Sequence, residues 1–150
     1  MSEDFSERYG PWAIVTGASS GIGEAFAHAI AQRGIRSLLL ARRGDELARV
    51  ADDVQKATGV ECATHVSDLA DPRFLDTLQE RTQDLDVGLV VSNAGFNPVG
   101  SFEDRSPDEL CRILDVNCKA PLLLAHAFGP KLLARGRGGF LMTGSVEGFF

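Results

Sequence analysis

Three glycines and two serines crowd one octapeptide, Thr16-Gly17-Ala18-Ser19-Ser20-Gly21-Ile22-Gly23, at the seam between an apolar run and a segment of helical pattern. Glycine at such a seam lets the backbone turn sharply and approach a ligand closely. The first N–H groups of the helix that follows, with the positive end of its dipole, favour an anion. In the order strand, glycine turn, helix, this is the arrangement that cradles the pyrophosphate of a dinucleotide, although a tight turn alone also uses glycine. The next apolar run ends in Arg42 and Arg43, where an NAD enzyme places an acid on the ribose 2′-hydroxyl. A guanidinium at that place pairs bidentately with a 2′-phosphate and lies over an adenine ring, so NADP(H) is preferred; the plainer alternative is two solvated arginines.

Such residues need a sheet whose strand ends bring them to one edge. Short β-rich runs at 12–16, 37–41, 61–66, 88–92 and 139–143 alternate with longer helical segments, the pattern of βαβ units and a parallel sheet. Ile22, Ala25, Phe26, Ala29 and Ile30 form one apolar stripe on the first helix, ending at Gly34. A second helix spans 44–59, closed by Gly59. A third begins with Asp71 as N-cap and Pro72 at the first position, and a fourth with Ser106 and Glu109 as a capping box around Pro107. A further helix covers 122–133, bent or interrupted at Pro130. Five strands joined by right-handed crossovers give an α/β, Rossmann-type doubly wound parallel sheet of order 3-2-1-4-5, in one domain over residues 1–150. Its ligand site lies beyond the carboxyl ends of the strands, where strands 1 and 4 diverge.

The T-G-x-x-x-G-x-G spacing resembles the classical short-chain dehydrogenase/reductase family, and later strand ends carry matching stretches: "VSDLAD", "SNAGF", "DVNCKAP" and "GGFLMTGSVEG". The likeness extends over nearly all 150 residues. It implies cofactor contacts from Thr16, Gly17, Ser19, Ser20, Gly21, Ile22 and Gly23. It also implies that Asp68, left free because Asp71 serves the helix cap, accepts from the adenine amino group while Leu69 packs on the ring. Asn93, Ala94 and Gly95 would line the cleft beside the ribose and nicotinamide. Asn117 matches the family's catalytic asparagine, whose neighbourhood holds a relay water. Ser145 matches the serine that bonds the substrate carbonyl and stabilises the developing alkoxide. Taken singly, Asp68 also reads as a turn former, Asn-Ala-Gly as a turn and Asn117 as a helix C-cap.

Departures from the family pattern are Ser92 for the first Asn of N-N-A-G, Gly144 where a second serine is frequent, and Glu147. The family's general acid, the tyrosine of Tyr-x-x-x-Lys, has no counterpart up to Phe150, and Tyr9, which precedes the first strand, is no substitute. The chain therefore reads as the N-terminal portion of a longer NADP(H)-dependent reductase interconverting a ketone or aldehyde and an alcohol, inactive by itself. The rival readings are a non-catalytic dinucleotide-binding or regulatory module and an inactive fragment. "VGLVVSNAGF" and "LLARGRGGF" are similar to 3-oxoacyl and steroid-type reductases, which implies a small lipophilic carbonyl or alcohol substrate. By the same likeness the full-length chain is expected to form a homodimer or homotetramer through the 122–133 helix.

The bulk properties agree with a globular enzyme part: 44% hydrophobic and 24% charged residues suffice for a core. A formal charge of −6 with scattered cations argues against nucleic acid or an anionic membrane surface as partner. Cys62, Cys111 and Cys118 have neither C-x-x-C nor metal-type spacing and are expected as reduced, buried thiols in a cytoplasmic protein. His28, His65 and His126 stand apart, so no metal site is expected. "MSEDFSERYG" lacks the basic and apolar regions of a signal peptide, and "APLLLAHAF" is too short to insert in a membrane.

Overall fold

The computed structural model describes residues 5–145; Glu147 lies outside them. Five parallel strands, β1 (Trp12–Thr16), β2 (Arg36–Ala41), β3 (Cys62–Val66), β4 (Val87–Ser92) and β5 (Gly139–Met142), form one sheet of order β3-β2-β1-β4-β5. This is the predicted doubly wound, Rossmann-type topology. Six α-helices accompany it: α1 (Phe5–Tyr9), α2 (Gly21–Ala31), α3 (Gly44–Thr58), α4 (Phe74–Arg81), α5 (Pro107–Leu114) and α6 (Ala120–Arg135).

Strand side chains alternate between two apolar layers, as the period of two requires. Ala13, Val15, Leu39 and Val91 face Ala27, Ile30, Leu47 and Val54 of α2 and α3. Ile14, Leu38, Leu40 and Val90 face Phe74, Leu78, Leu124 and Phe128 of α4 and α6. Helices thus cover both faces of the central strands β1, β2 and β4.

Several local expectations are corrected. The buried stripe of α2 is Gly23, Ala27, Ile30 and Ala31, one residue out of phase with the predicted one, and Ile22 is 65% exposed. Small residues face the sheet because α2 packs close to it, leaving the larger Ile22 exposed at the start of the helix. The first turn that Asp71 was expected to open is not helical. Asp71 Oδ1 instead accepts from the Arg73 backbone N–H at 2.8 Å, closing an Asx turn, and α4 starts at Phe74. The Ser106–Glu109 capping box is present as predicted. Beyond α5, however, the chain makes one π-helical turn, Asp115–Lys119, and continues into α6, which runs uninterrupted through Pro130. Leu124, Phe128 and Leu132 flank that proline and are buried, so packing offsets its missing N–H. All three cysteines are free thiols, but only Cys62 is buried; Cys111 and Cys118 are exposed on the helical segment around the π turn. Burial pushes the Cys62 thiol up to about 12, so it stays protonated and inert.

Helix α1 was not foreseen. It closes the amino-terminal end of the sheet with Arg135, whose guanidinium grips both oxygens of Asp86 at 2.7 and 3.1 Å and reaches the Gly10 carbonyl. Among the described residues no helix is long and apolar enough to cross a membrane.

Candidate functional site

At the carboxyl edge the chain leaves β1 through Gly17, whose φ of +69° is a left-handed conformation that suits glycine. A side chain there would stand 2.8 Å from the Ala94 Cα. Gly23, one turn into α2, faces Gly17 so closely that an added Cβ would overlap the Gly17 carbonyl and come within 2.8 Å of Asn93 Nδ2. The glycines thus press the α2 N-terminus against the end of β4. Ser20 occupies the N-cap without a side-chain cap bond, leaving the first N–H groups of α2 available to an anion.

Next to that helix end lies a cleft of about 280 Å³ lined by Gly17, Ser19, Ser20, Arg42, Arg43, Ser67, Asp68, Leu69, Asn93, Ala94, Gly95, Phe96 and Val116, with Leu40 and Ala41 at its floor. Arg43 crosses from β2 to α2: one terminal nitrogen donates to Ser19 Oγ at 3.0 Å and Ser20 Oγ at 2.8 Å, while its Nε meets Glu46 at 2.8 Å. Arg42 places its guanidinium carbon over the Phe96 ring, 5.9 Å from the centroid. Two cations and two hydroxyls therefore gather where a phosphate oxygen set would need donors.

Asp68 is not free, contrary to expectation. Its Oδ2 accepts from Arg112 at 2.6 Å, and its Oδ1 from the Ala70 backbone N–H at 3.0 Å. Burial opposes its ionisation, but the Arg112 and Ala70 hydrogen bonds and the charges of Arg112 and Arg42 outweigh that, holding the carboxyl below its ordinary range. Leu69 is buried beside it, 8% exposed.

Thr16 sits at the joint but is fully buried and outside the cleft lining. Its side chain serves the backbone at the end of the neighbouring strand β4: Oγ1 accepts from the N–H groups of Asn93 and Ala94 and donates to the Val91 carbonyl. Gly21, Ile22 and Gly23 also lie outside that lining, with Gly21 and Ile22 exposed at the start of α2.

A second, wider recess of about 600 Å³ adjoins the first and is lined by Ser92 to Asn97, Asn117, Pro121 and Met142 to Ser145. Asn117 and Ser145, far apart in sequence, are thus brought to one recess. The π turn carries Asn117 outward to Phe96, where Oδ1 accepts from the Phe96 N–H and Nδ2 donates to its carbonyl, both at 2.8 Å. Both polar groups of the amide are committed to holding that loop, which is not what a C-cap does. Asn93 to Phe96 line both spaces, so the two share one wall.

Sequence reasoning missed Phe96 and Arg112. Phe96 stood within the quoted "SNAGF" but its ring had no assigned partner. Arg112 lies 44 residues from Asp68 and carried no local signal.

Comparison with known proteins adds the following. A family model described as short chain dehydrogenase matches residues 11–150. The human protein called inactive hydroxysteroid dehydrogenase-like protein 1 is 35% identical over 95% of this chain and 44% of its own length. A very-long-chain 3-oxoacyl-CoA reductase of Laccaria bicolor is 34% identical over 96% of this chain and 44% of its own. The chain thus spans less than half the length of these two relatives. Among solved structures, a short-chain dehydrogenase from Sphingobium yanoikuyae in complex with NADPH superposes with a TM-score of 0.87 at 33% identity, over 93% of this chain and 55% of that one.

Proposed function

The chain belongs to the short-chain dehydrogenase family, and from that premise we propose that it is the cofactor-binding portion of an NADP(H)-dependent oxidoreductase interconverting a lipophilic ketone or aldehyde and its alcohol. One observation carries the reading: the arginine-and-serine pocket at the end of β2 and the recess holding Asn117 and Ser145 lie side by side and share the wall Asn93 to Phe96. The glycine-compressed start of α2, the open N–H groups there and the Arg42–Arg43 pair fit a dinucleotide with a 2′-phosphate. That cofactor, when bound, supplies or accepts the hydride.

The chain's own residues do the rest. Arg42 and Arg43, with Ser19 and Ser20, bind the 2′-phosphate, and Glu46 aims Arg43 by holding its Nε. Asp68 and Leu69 hold the adenine, and Asn93 to Gly95 leave room for the ribose and nicotinamide. Ser145 donates to the carbonyl oxygen as it gains charge, an interaction strongest in the transition state. Asn117 fixes the Phe96 loop, which lines both spaces. The substrate class draws support from the name of the 3-oxoacyl-CoA reductase relative. Homodimer or homotetramer formation by the full-length protein, in the cytoplasm, belongs to the same proposal. It draws support from Leu122 and Leu133, exposed by 69% and 83% on α6.

The test is binding and turnover by the full-length protein. NADPH should bind more tightly than NADH, and Arg42→Asp should reverse the order by weakening NADPH about 10- to 100-fold, the scale of a lost charge-assisted contact. Equal affinities before mutation would overturn the assignment of Arg42. A second reading, a non-catalytic dinucleotide-binding module, is favoured by the human relative named inactive. NADPH binding without any carbonyl-dependent NADPH oxidation across a panel of bulky ketones decides for it.

A further inference from the structure

We propose that Arg112, on α5, is a positioning residue for base recognition: it fixes the Asp68 carboxylate so that this side chain reads the amino group of adenine. The proposal rests on the reading of the cleft as a dinucleotide site. Arg112 does not itself line the cleft, so it acts through the residue it holds.

A carboxylate offers about four acceptor positions. In Asp68 the Ala70 N–H uses one on Oδ1 and Arg112 one on Oδ2, which leaves two for a ligand. The Ala70 bond lies within Asp68's own turn and fixes little beyond that turn. The 2.6 Å contact with Arg112 ties the carboxylate to another element, 44 residues away. Arg112 is itself braced. Its guanidinium carbon stands over the Phe96 ring, 5.3 Å from the centroid, and the Phe96 backbone is gripped on both sides by Asn117.

The charge state of this cluster carries the specificity. Arg112 beside Asp68, with Arg42 also over Phe96, favours an ionised carboxylate, which only accepts hydrogen bonds. Adenine presents a donor at position 6, its exocyclic amino group. Hypoxanthine presents a carbonyl oxygen there, and an acceptor facing an acceptor repels. An Asp68 held rigid and ionised therefore discriminates between two bases of nearly equal shape. One that swings freely discriminates less, because it turns away from the wrong base at little cost.

The experiment compares NADPH with its hypoxanthine analogue, reduced nicotinamide hypoxanthine dinucleotide phosphate, by dissociation constants for the full-length protein. The wild type should prefer NADPH by about tenfold or more, the scale of one hydrogen bond to a charged group. Arg112→Gln should bring the ratio of the two constants towards one, and Arg112→Lys, which keeps a cation in reach, should restore most of it. Asp68→Ala should collapse the ratio as well, and adding Arg112→Gln to it should change nothing further, since the two act as one unit. A merely structural role for Arg112 would weaken both dinucleotides equally and leave the ratio intact. A preserved ratio in Arg112→Gln overturns the proposal while the dinucleotide reading stands, as does a wild type that binds both tightly without preference. Failure of the wild type to bind either dinucleotide overturns the dinucleotide reading and this proposal with it.

Discussion

Thr16 and Asn93, 77 residues apart, fasten the ends of β1 and β4 to each other. Thr16 Oγ1 accepts from the Asn93 N–H at 2.9 Å, and Asn93 Nδ2 donates back to the Thr16 carbonyl at 3.2 Å. The Ala94 N–H donates to the same Oγ1 at 3.0 Å. The point where the strands part is thus held by one buried hydroxyl and one side-chain amide. Thr16→Val keeps the shape but orphans two backbone donors, each costing about 1–3 kcal/mol. Urea unfolding should show a loss of that order per donor, while Thr16→Ser should retain most of the stability. A Thr16→Val protein as stable as wild type would refute this role.

The glycines of the octapeptide should respond unequally. Gly23→Ala drives a methyl group into the Gly17 carbonyl and Asn93 Nδ2. Helix α2 must then move off the sheet, at a cost of about 1–3 kcal/mol or more, with loss of dinucleotide binding. Gly21 has open space around it and a φ of +59°, a region asparagine tolerates. Gly21→Asn should therefore fold and lose less thermal stability than Gly23→Ala, its cost being the left-handed backbone alone, about 1 kcal/mol. Parallel melting curves check the contrast, and equal losses in the two variants would count against it.

Asn117→Asp should loosen the Phe96 loop. The variant still accepts from the Phe96 N–H but has no donor for the Phe96 carbonyl, against which it sets a negative charge. The cost of a broken, repulsive contact is about 1–3 kcal/mol, or roughly a 5- to 150-fold rise in local opening. Amide hydrogen exchange at residues 95–97 reads it directly. Unchanged exchange there would mean the loop is held by something else.

His65 on β3 makes the fold acid-sensitive. Burial first, and the Arg81 charge second, hold its pKa below the ordinary value, with Thr77 Oγ1 at 3.4 Å from Nε2. A depressed pKa means that the unfolded chain takes the proton before the folded one does. The stability is complete above the unfolded value, about 6.5, and is lost as pH falls from there through the folded value. Melting temperatures at about pH 7.5 and about pH 5.5 should therefore fall further apart for wild type than for His65→Gln. The same difference in both proteins would remove His65 from the account.

The strands were legible because each is a short β-rich run, and all five begin and end within one residue of where periodicity places them, with β1 matched throughout. The capping box was legible for a similar reason: its two hydrogen bonds join residues three apart. Helix α1 was hidden because it is only five residues long, Phe5–Tyr9, with an aromatic at each end and no helical period to read; Tyr9 lies against Gly139. The phase of α2 was misread because its innermost residues are glycine and alanine. A hydrophobicity pattern gives such residues little weight, yet close helix–sheet contact selects them.

For the site, the sequence by itself determined the family, the order of the strands and the set of residues at their carboxyl ends, because all three are written in local spacing and in the hand of βαβ crossovers. Only the tertiary structure decided which of those residues face the cleft. It turned Thr16 inward to pair β1 with β4, tied Asp68 to Arg112, and used a π turn to bring Asn117 to Phe96. Each of these contacts spans 21 to 77 residues. Contacts of that range depend on the packing of whole elements, and no run of neighbouring residues encodes them.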